Sequence, residues 1–203
     1  MEFQIFLAGV GGQGILSVTD ILCNAAVDMG FKVHGSETHG MSQRGGSVFS
    51  NVRFGNVYSP LIMERDSDVL LGFEPIEALR YAQYVKPNGI SLVNIHPIPS
   101  PSFTLTKSSY PDLNGILSAL KSYSSNVISI DATKIASDLN MPLVQNIVML
   151  GALSAIPGLP LTETSLISAL KRQFKTKHYD LNFEAFKHGR QAFRDYKANE
   201  YGK

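Results

Sequence analysis

The 203-residue chain reads as one α/β domain: a layered, largely parallel, Rossmann-like sheet with flanking helices and a helical C-terminal third. Three observations predict it. Short apolar runs such as Phe3 to Val10 and Asp68 to Phe73 alternate with amphipathic stretches. A glycine-rich turn, Gly9-Val10-Gly11-Gly12-Gln13-Gly14, joins the first run to the first helix. Beyond Leu143 the apolar spacing is helical.

Taken in order, Phe3 to Val10 is a first strand. Ile15, Val18, Leu22, Ala25, Ala26 and Met29 then share one face of a helix that stops at Gly30. Phe31 to Ser36 is a second strand. Ser47 to Phe54 puts Val48, Val52 and Phe54 on one face and Asn51 and Arg53 on the other, the period expected of a half-exposed, antiparallel strand. Asp68 to Phe73 and Ile90 to Ile95 are strands flanking a helix over Pro75 to Val85, which carries proline just inside its first turn. Residues 96–112 are too proline-rich for a helix interior and form a loop or edge excursion around Phe103 to Thr106. Leu113 to Tyr123 is helical, Val127 to Ile130 is a strand, and Asp131 caps a short helix carrying Ile135, Ala136 and Leu139. Three helices follow: the almost wholly apolar Leu143 to Ile156, one from Thr162 through Phe174, and one capped by Asp180 through Tyr196.

Composition narrows the function classes. At 44% hydrophobic and 17% charged residues the chain can bury a core and is not disordered. Eighteen Lys and Arg against 17 Asp and Glu leave a formal charge of +1, so no global field holds a nucleic acid or an anionic membrane. From Lys171 onward nine bases face four acids, but Phe183, Phe186, Phe193 and Tyr196 fall there as a core stripe, which favours a solvated outer face over a nucleic-acid surface. The single cysteine, Cys23, excludes an intrachain disulfide, a cysteine-only zinc site and four-thiolate ligation of an iron-sulfur cluster. The N-terminus lacks a secretory pattern, and the run Ile147 to Leu161 is broken by Ser154 and Pro157-Gly158; a cytoplasmic protein with no membrane or nucleic-acid partner is expected.

Two segments carry chemistry. In Gly9 to Gly14 the glycines allow a tight turn and let backbone N–H groups approach an anion at the positive end of a helix. Glu37, near the end of the second strand, is where a dinucleotide fold would hold a ribose hydroxyl. The extra Gly12, Gln13, and a glycine-rich loop after Glu37 favour a structural turn, or a loop serving a phosphate-bearing ligand at a subunit boundary, over NAD. The second segment is Glu37-Thr38-His39-Gly40-Met41-Ser42-Gln43-Arg44-Gly45-Gly46-Ser47. His39 has no second ligand at metal spacing, so no metal site is assigned. Arg44, beside Gln43 and two glycines, either presents a rigid fork to a carboxylate or phosphate or ties the loop to Glu37 or Glu64. Gln145 and Asn146 satisfy buried backbone groups, Cys23 is a small buried hydrophobe, and Ser17, Ser42 and Ser47 lack a nucleophile elbow. No catalytic residue is assigned.

Joined with Val48, Val52-Arg53-Phe54-Gly55, Ser59-Pro60-Leu61-Ile62, Asp68-Val69-Leu70-Leu71-Gly72-Phe73-Glu74-Pro75 and Asn146 to Leu153, these segments resemble the gamma-type subunit of 2-oxoacid:ferredoxin oxidoreductases, and within it the small, beta subunit of the indolepyruvate branch. The resemblance covers nearly the whole chain, 1–203. It implies a subunit of an enzyme that oxidatively decarboxylates an aryl 2-oxoacid with coenzyme A and ferredoxin, inert alone. Thiamine diphosphate and iron-sulfur clusters are implied in a larger partner subunit, with coenzyme A as co-substrate and no cofactor bound by this chain by itself. The cofactor-binding residues implied are Gly9, Gly11, Gly12, Gln13, Gly14, Ser42, Gln43, Arg44 and Gly45, positioning the substrate carboxylate or coenzyme A phosphates. The family's Ser-His-Val-Arg is Ser50-Asn51-Val52-Arg53 here, without the titratable ring a proton-transfer role would need. Two other classes stay open: a stand-alone NAD or flavin oxidoreductase, and an inactive scaffold or regulatory homologue. Without its partner the chain is expected to self-associate.

Overall fold

A computed structural model describes residues 2–39, 45–99, 109–174 and 176–201. Strand β1 (Phe3–Val10) is apolar on both faces because it is central, with β3 (Ser47–Phe54) on one side and β4 (Ser67–Gly72) on the other. With β2 (Val33–His39), β5 (Val85–Asn94) and β6 (Asn126–Ile130), the sheet order is β2-β3-β1-β4-β5-β6. β1, β4, β5 and β6 pair in parallel, while β3 pairs antiparallel with both β1 and β2. The sheet is therefore mostly parallel, with β3 the one strand that runs against the other five. That reversal is what the alternating pattern of Ser47 to Phe54 foreshadowed.

Two helical layers cover it. Helix α1 (Ile15–Asp28) lies on one face with α4 (Ala132–Asp138), α5 (Gln145–Leu153), α6 (Glu163–Gln173) and α7 (Thr176–Tyr201), where Leu7, Val52, Leu71, Leu92 and Ile128 of the sheet meet Ile21, Leu150 and Phe186 of the helices. The opposite face holds α2 (Pro75–Arg80) and α3 (Leu113–Leu120) against Phe6, Leu70 and Val93. The helix after β1 and the helix after β4 thus leave toward opposite faces. The carboxyl ends of these adjacent parallel strands therefore form a topological switch point, the place where open α/β sheets bind ligands.

Several elements differ from the sequence expectation. α2 ends at Arg80 and passes into a 3-10 turn over Ala82–Tyr84. β5 begins at Val85, five residues early, because parallel pairing to β4 extends back to Ser67. Leu143 belongs to a 3-10 turn (Pro142–Val144) and is 86% exposed; the helix starts only at Gln145, and Asn146 to Leu153 are all buried, so it is internal core. Asp180 caps nothing: α7 already runs from Thr176, since nothing in residues 176–179 breaks a helix, and Tyr179 stacks on Phe183 one turn later at 5.7 Å. β3 is not half-exposed. Asn51 is 2% exposed because the segment after β3 folds back over that face, held by Arg53, whose Nη1 donates to the carbonyls of Ser59 and Leu61 at 3.0 and 2.8 Å. The caps at Asp131 and Thr162 form as expected, their side chains accepting from the N–H groups of Lys134 and Ser165. Phe186 and Phe193 are core, and the Tyr196 hydroxyl donates to the Val127 carbonyl at 3.0 Å.

Candidate ligand site at the glycine loop

The loop after β1 is built from one open glycine between two closed ones. A Cβ on Gly9 would meet Gln13 Oε1 at 2.6 Å and Phe73 Cβ at 2.9 Å; one on Gly14 would meet Asn146 Nδ2 at 2.4 Å. Gly12 faces open space, with nothing within 4 Å of the same position, and its φ of 101° is glycine territory. Gly14 is the N-cap of α1 at φ 77° and offers no side-chain cap, so the first-turn N–H groups lack the usual covering oxygen. The loop and this helix start line a recess of about 280 Å³, with Ser17 and Val48 completing the wall.

Buried amides hold that geometry. Gln13, 5% exposed, accepts from Val10 N–H at 2.7 Å and donates through Nε2 to the Phe73 carbonyl at 2.7 Å, stapling the loop of β1 to the end of β4. Asn94, at the end of β5, donates to the same carbonyl at 3.2 Å and accepts from Ala132 N–H at 3.1 Å. Asn146 Nδ2 donates to the Gly14 carbonyl at 3.2 Å, satisfying a backbone acceptor as its position before an apolar helix suggested. Gln145 instead accepts from the Thr133 hydroxyl at 2.7 Å. Of the second segment, Gly45 and Gly46 lie against the loop: Gly11 N–H donates to Gly46 O at 2.8 Å and Gly45 N–H to Gly11 O at 3.3 Å. Ser42, Gln43 and Arg44 lie outside the described residues, as does the segment Phe103 to Thr106 at the centre of the expected loop or edge excursion.

Behind the loop the sheet edge carries a buried acidic pair that sequence reasoning missed. Glu74, 1% exposed, caps α2 through the Glu77 N–H and accepts from Ile98 N–H at 3.2 Å and the Tyr110 hydroxyl at 2.5 Å, anchoring both flanks of the proline-rich excursion. Burial, and then Glu74 itself, push the Tyr110 hydroxyl well above the usual phenol range, so it stays a donor. Glu77 accepts from the Ser47 hydroxyl and from Arg80 Nε at 3.2 Å. The sequence signal, legible only afterwards, is a polar residue at or just after the end of an apolar strand: Asn94 ends β5 and Glu74 follows β4 by two residues.

Two sequence candidates are settled by their surroundings. Burial, then the Asp20 and Glu37 carboxylates, push the Cys23 thiol up to about 11, so at neutral pH it is no thiolate nucleophile. Glu37 sits opposite Ser50 on β3, which separates β2 from β1; it is two strand spacings, roughly 10 Å, from the loop's own strand. The ribose-binding acid of a dinucleotide fold requires β2 beside β1, and here it is not. Among the described residues no three His, Cys, Asp or Glu side chains are grouped to hold a metal ion, and no helix is long and apolar enough to cross a membrane.

The family model for pyruvate ferredoxin/flavodoxin oxidoreductase matches residues 4–192. The chain belongs to this family. It is 39% identical over 196 residues to the indolepyruvate oxidoreductase subunit IorB of Thermococcus kodakarensis, covering 96% of this chain and 97% of that one. Two solved structures share the fold. The gamma subunit of a keto/oxoacid ferredoxin oxidoreductase from Geobacter sulfurreducens superposes at a TM-score of 0.70 with 23% identity, covering 95% of this chain and 99% of that one. The 2-oxoglutarate:ferredoxin oxidoreductase of Magnetococcus marinus, solved with 2-oxoglutarate, coenzyme A and succinyl-CoA, does so at 0.72 with 22% identity, over 96% of this chain and 31% of that one. The chain therefore has the gamma-subunit fold, with its glycine loop at the carboxyl end of β1.

Proposed function

We propose that this chain is the small, non-catalytic subunit of an indolepyruvate-type 2-oxoacid:ferredoxin oxidoreductase, and that its glycine loop closes one wall of an active site shared with a larger subunit. The observation that carries the reading is the loop itself: Gly9 and Gly14 are locked by Gln13, Phe73 and Asn146, while Gly12 and the uncapped start of α1 remain open beside a recess. A loop that is stiff behind and bare in front suits an anionic group, because its N–H donors need no reorganisation to meet the charge. The coenzyme A phosphates and the 2-oxoacid carboxylate are the candidates. Ser42, Gln43, Arg44 and Gly45 adjoin this wall in sequence, and a guanidinium such as that of Arg44 is chemically suited to the bidentate contact that neutral N–H groups lack.

The residues of this chain do not fit the redox groups. One cysteine cannot ligate a cluster, and no Gly-Asp-Gly segment of the thiamine type is present. When bound in the larger subunit, thiamine diphosphate supplies the electron sink for decarboxylation and the clusters carry the electrons away. What this chain contributes is orientation and exclusion of water at the loop, a rate effect through positioning without bond making or breaking.

Arg44→Ala in the complex reconstituted with the larger subunit tests the assignment. The Michaelis constant for coenzyme A or for the 2-oxoacid is expected to rise about tenfold or more, as loss of a charged hydrogen bond dictates. Unchanged constants for both substrates, with unchanged turnover, remove Arg44 from the site.

A further inference from the structure

On the opposite face of the sheet from the glycine recess lies a second cavity, of about 560 Å³, lined by Phe6, Phe49, Asn51, Ile62, Met63 and Tyr84. It shares no wall with the first: Val48 points to one face of β3 and Phe49 to the other. Phe6 stacks on Phe49 at 5.4 Å and on Tyr84 at 4.5 Å, the rings within 14° and 18° of parallel, so the cavity is backed by a stack of aromatic rings. Its mouth is apolar and exposed at Met63, with the exposed Glu64 carboxylate beside it.

The polar feature of this cavity is Asn51, 98% buried. Its Nδ2 donates to Ser36 Oγ at 3.0 Å, on the β2 side. That leaves Oδ1 on the other side, toward Phe6, its neighbour on β1, and Oδ1 has no hydrogen-bond partner. A buried acceptor without a donor is costly, and native proteins leave few of them. Apolar and aromatic walls around one unmet polar atom, at a volume typical of small-molecule sites, are the pattern of a ligand pocket.

We propose that this cavity binds a neutral aromatic ring bearing one N–H or O–H donor, the ring lying against Phe49, Met63 and Tyr84 and the donor meeting Asn51 Oδ1. Glu64 at the mouth disfavours anions and so separates this ligand class from the anionic groups assigned to the glycine loop. The site stands on the opposite face and goes beyond the subunit assignment; it needs no partner chain.

Calorimetric titration of the isolated full-length chain with indole and with 1-methylindole tests it. Indole should bind saturably at one site. 1-Methylindole, the same ring without the donor, should bind about tenfold more weakly, the loss of one hydrogen bond. In Asn51→Leu, which keeps the bulk and removes the acceptor, the two ligands should bind alike. Absence of saturable indole binding, equal affinity of the two ligands for the unmodified protein, or discrimination that survives Asn51→Leu would overturn the proposal. Because the ligand pair already decides the question on the unmodified chain, a misfolded variant leaves the test intact. No activity is measured, so this outcome is independent of the glycine-loop assignment.

Discussion

Gly189→Ala is expected to lower the melting temperature by about 10 °C, corresponding to a loss of roughly 3 kcal/mol, the upper range of core overpacking. The cause is a reciprocal close approach of α5 and α7. A Cβ on Gly189 would stand 1.9 Å from the Val148 carbonyl oxygen, and one on Gly151 would stand 2.0 Å from the carbonyl oxygen of Phe186. Both obstacles are backbone, so no side chain can swing aside; the helices must separate. Gly151→Ala should match it, and the double substitution should cost less than the sum, because one separation relieves both clashes. Gly115→Ala is the control. Gly115 is exposed in the first turn of α3 with only Asp112 Oδ2 near at 3.9 Å, and alanine there should be neutral or stabilising by up to about 1 kcal/mol. Thermal unfolding followed by circular dichroism measures all four variants. The effect reaches the site too, since α5 carries the Asn146 that braces Gly14.

Gln13→Ala should cost about 2 kcal/mol and weaken binding of the anionic substrate by about tenfold in the assembled complex. The Phe73 carbonyl keeps one donor, Asn94, but the Val10 N–H loses its partner in a buried setting, a penalty of roughly 1–3 kcal/mol. The loop then loses the staple between the ends of β1 and β4, and its N–H groups must be ordered by the ligand rather than before it arrives. The combined readout is chemical denaturation of the isolated chain and the Michaelis constants for coenzyme A and 2-oxoacid in the complex. A destabilised subunit with unaltered constants would make Gln13 a purely structural residue.

Much of this was legible from local chemistry. The glycine loop, the strands of the parallel half, the caps at Asp131 and Thr162 and Phe186, Phe193 and Tyr196 of the α7 stripe are decided by near neighbours, and the structure has them; Phe183 is only half-buried, stacked on Tyr179 under Lys187 outside the core. What was not legible depends on partners far apart in the chain. Strand order is one case: the antiparallel β3 inserted between β1 and β2 is what carries Glu37 away from the glycine loop, and neither strand's own residues encode it. The brace of the loop is another, since Gln13 reaches Phe73 sixty residues on and Asn146 reaches Gly14 across 132. Gly151 and Gly189 look like ordinary helix interruptions until the two helices are laid together. Asp180 is a good capping residue by type, but α7 has already begun four residues earlier, at Thr176.

The central claim, that this chain contributes walls and not redox chemistry, is tested most directly by assaying indolepyruvate- and coenzyme A-dependent reduction of a viologen dye by the purified chain alone and after assembly with its larger subunit under anaerobic conditions. The account predicts no turnover by the chain alone and turnover that appears with the complex. Decarboxylation by the lone chain, freed of any co-purifying subunit, would contradict it.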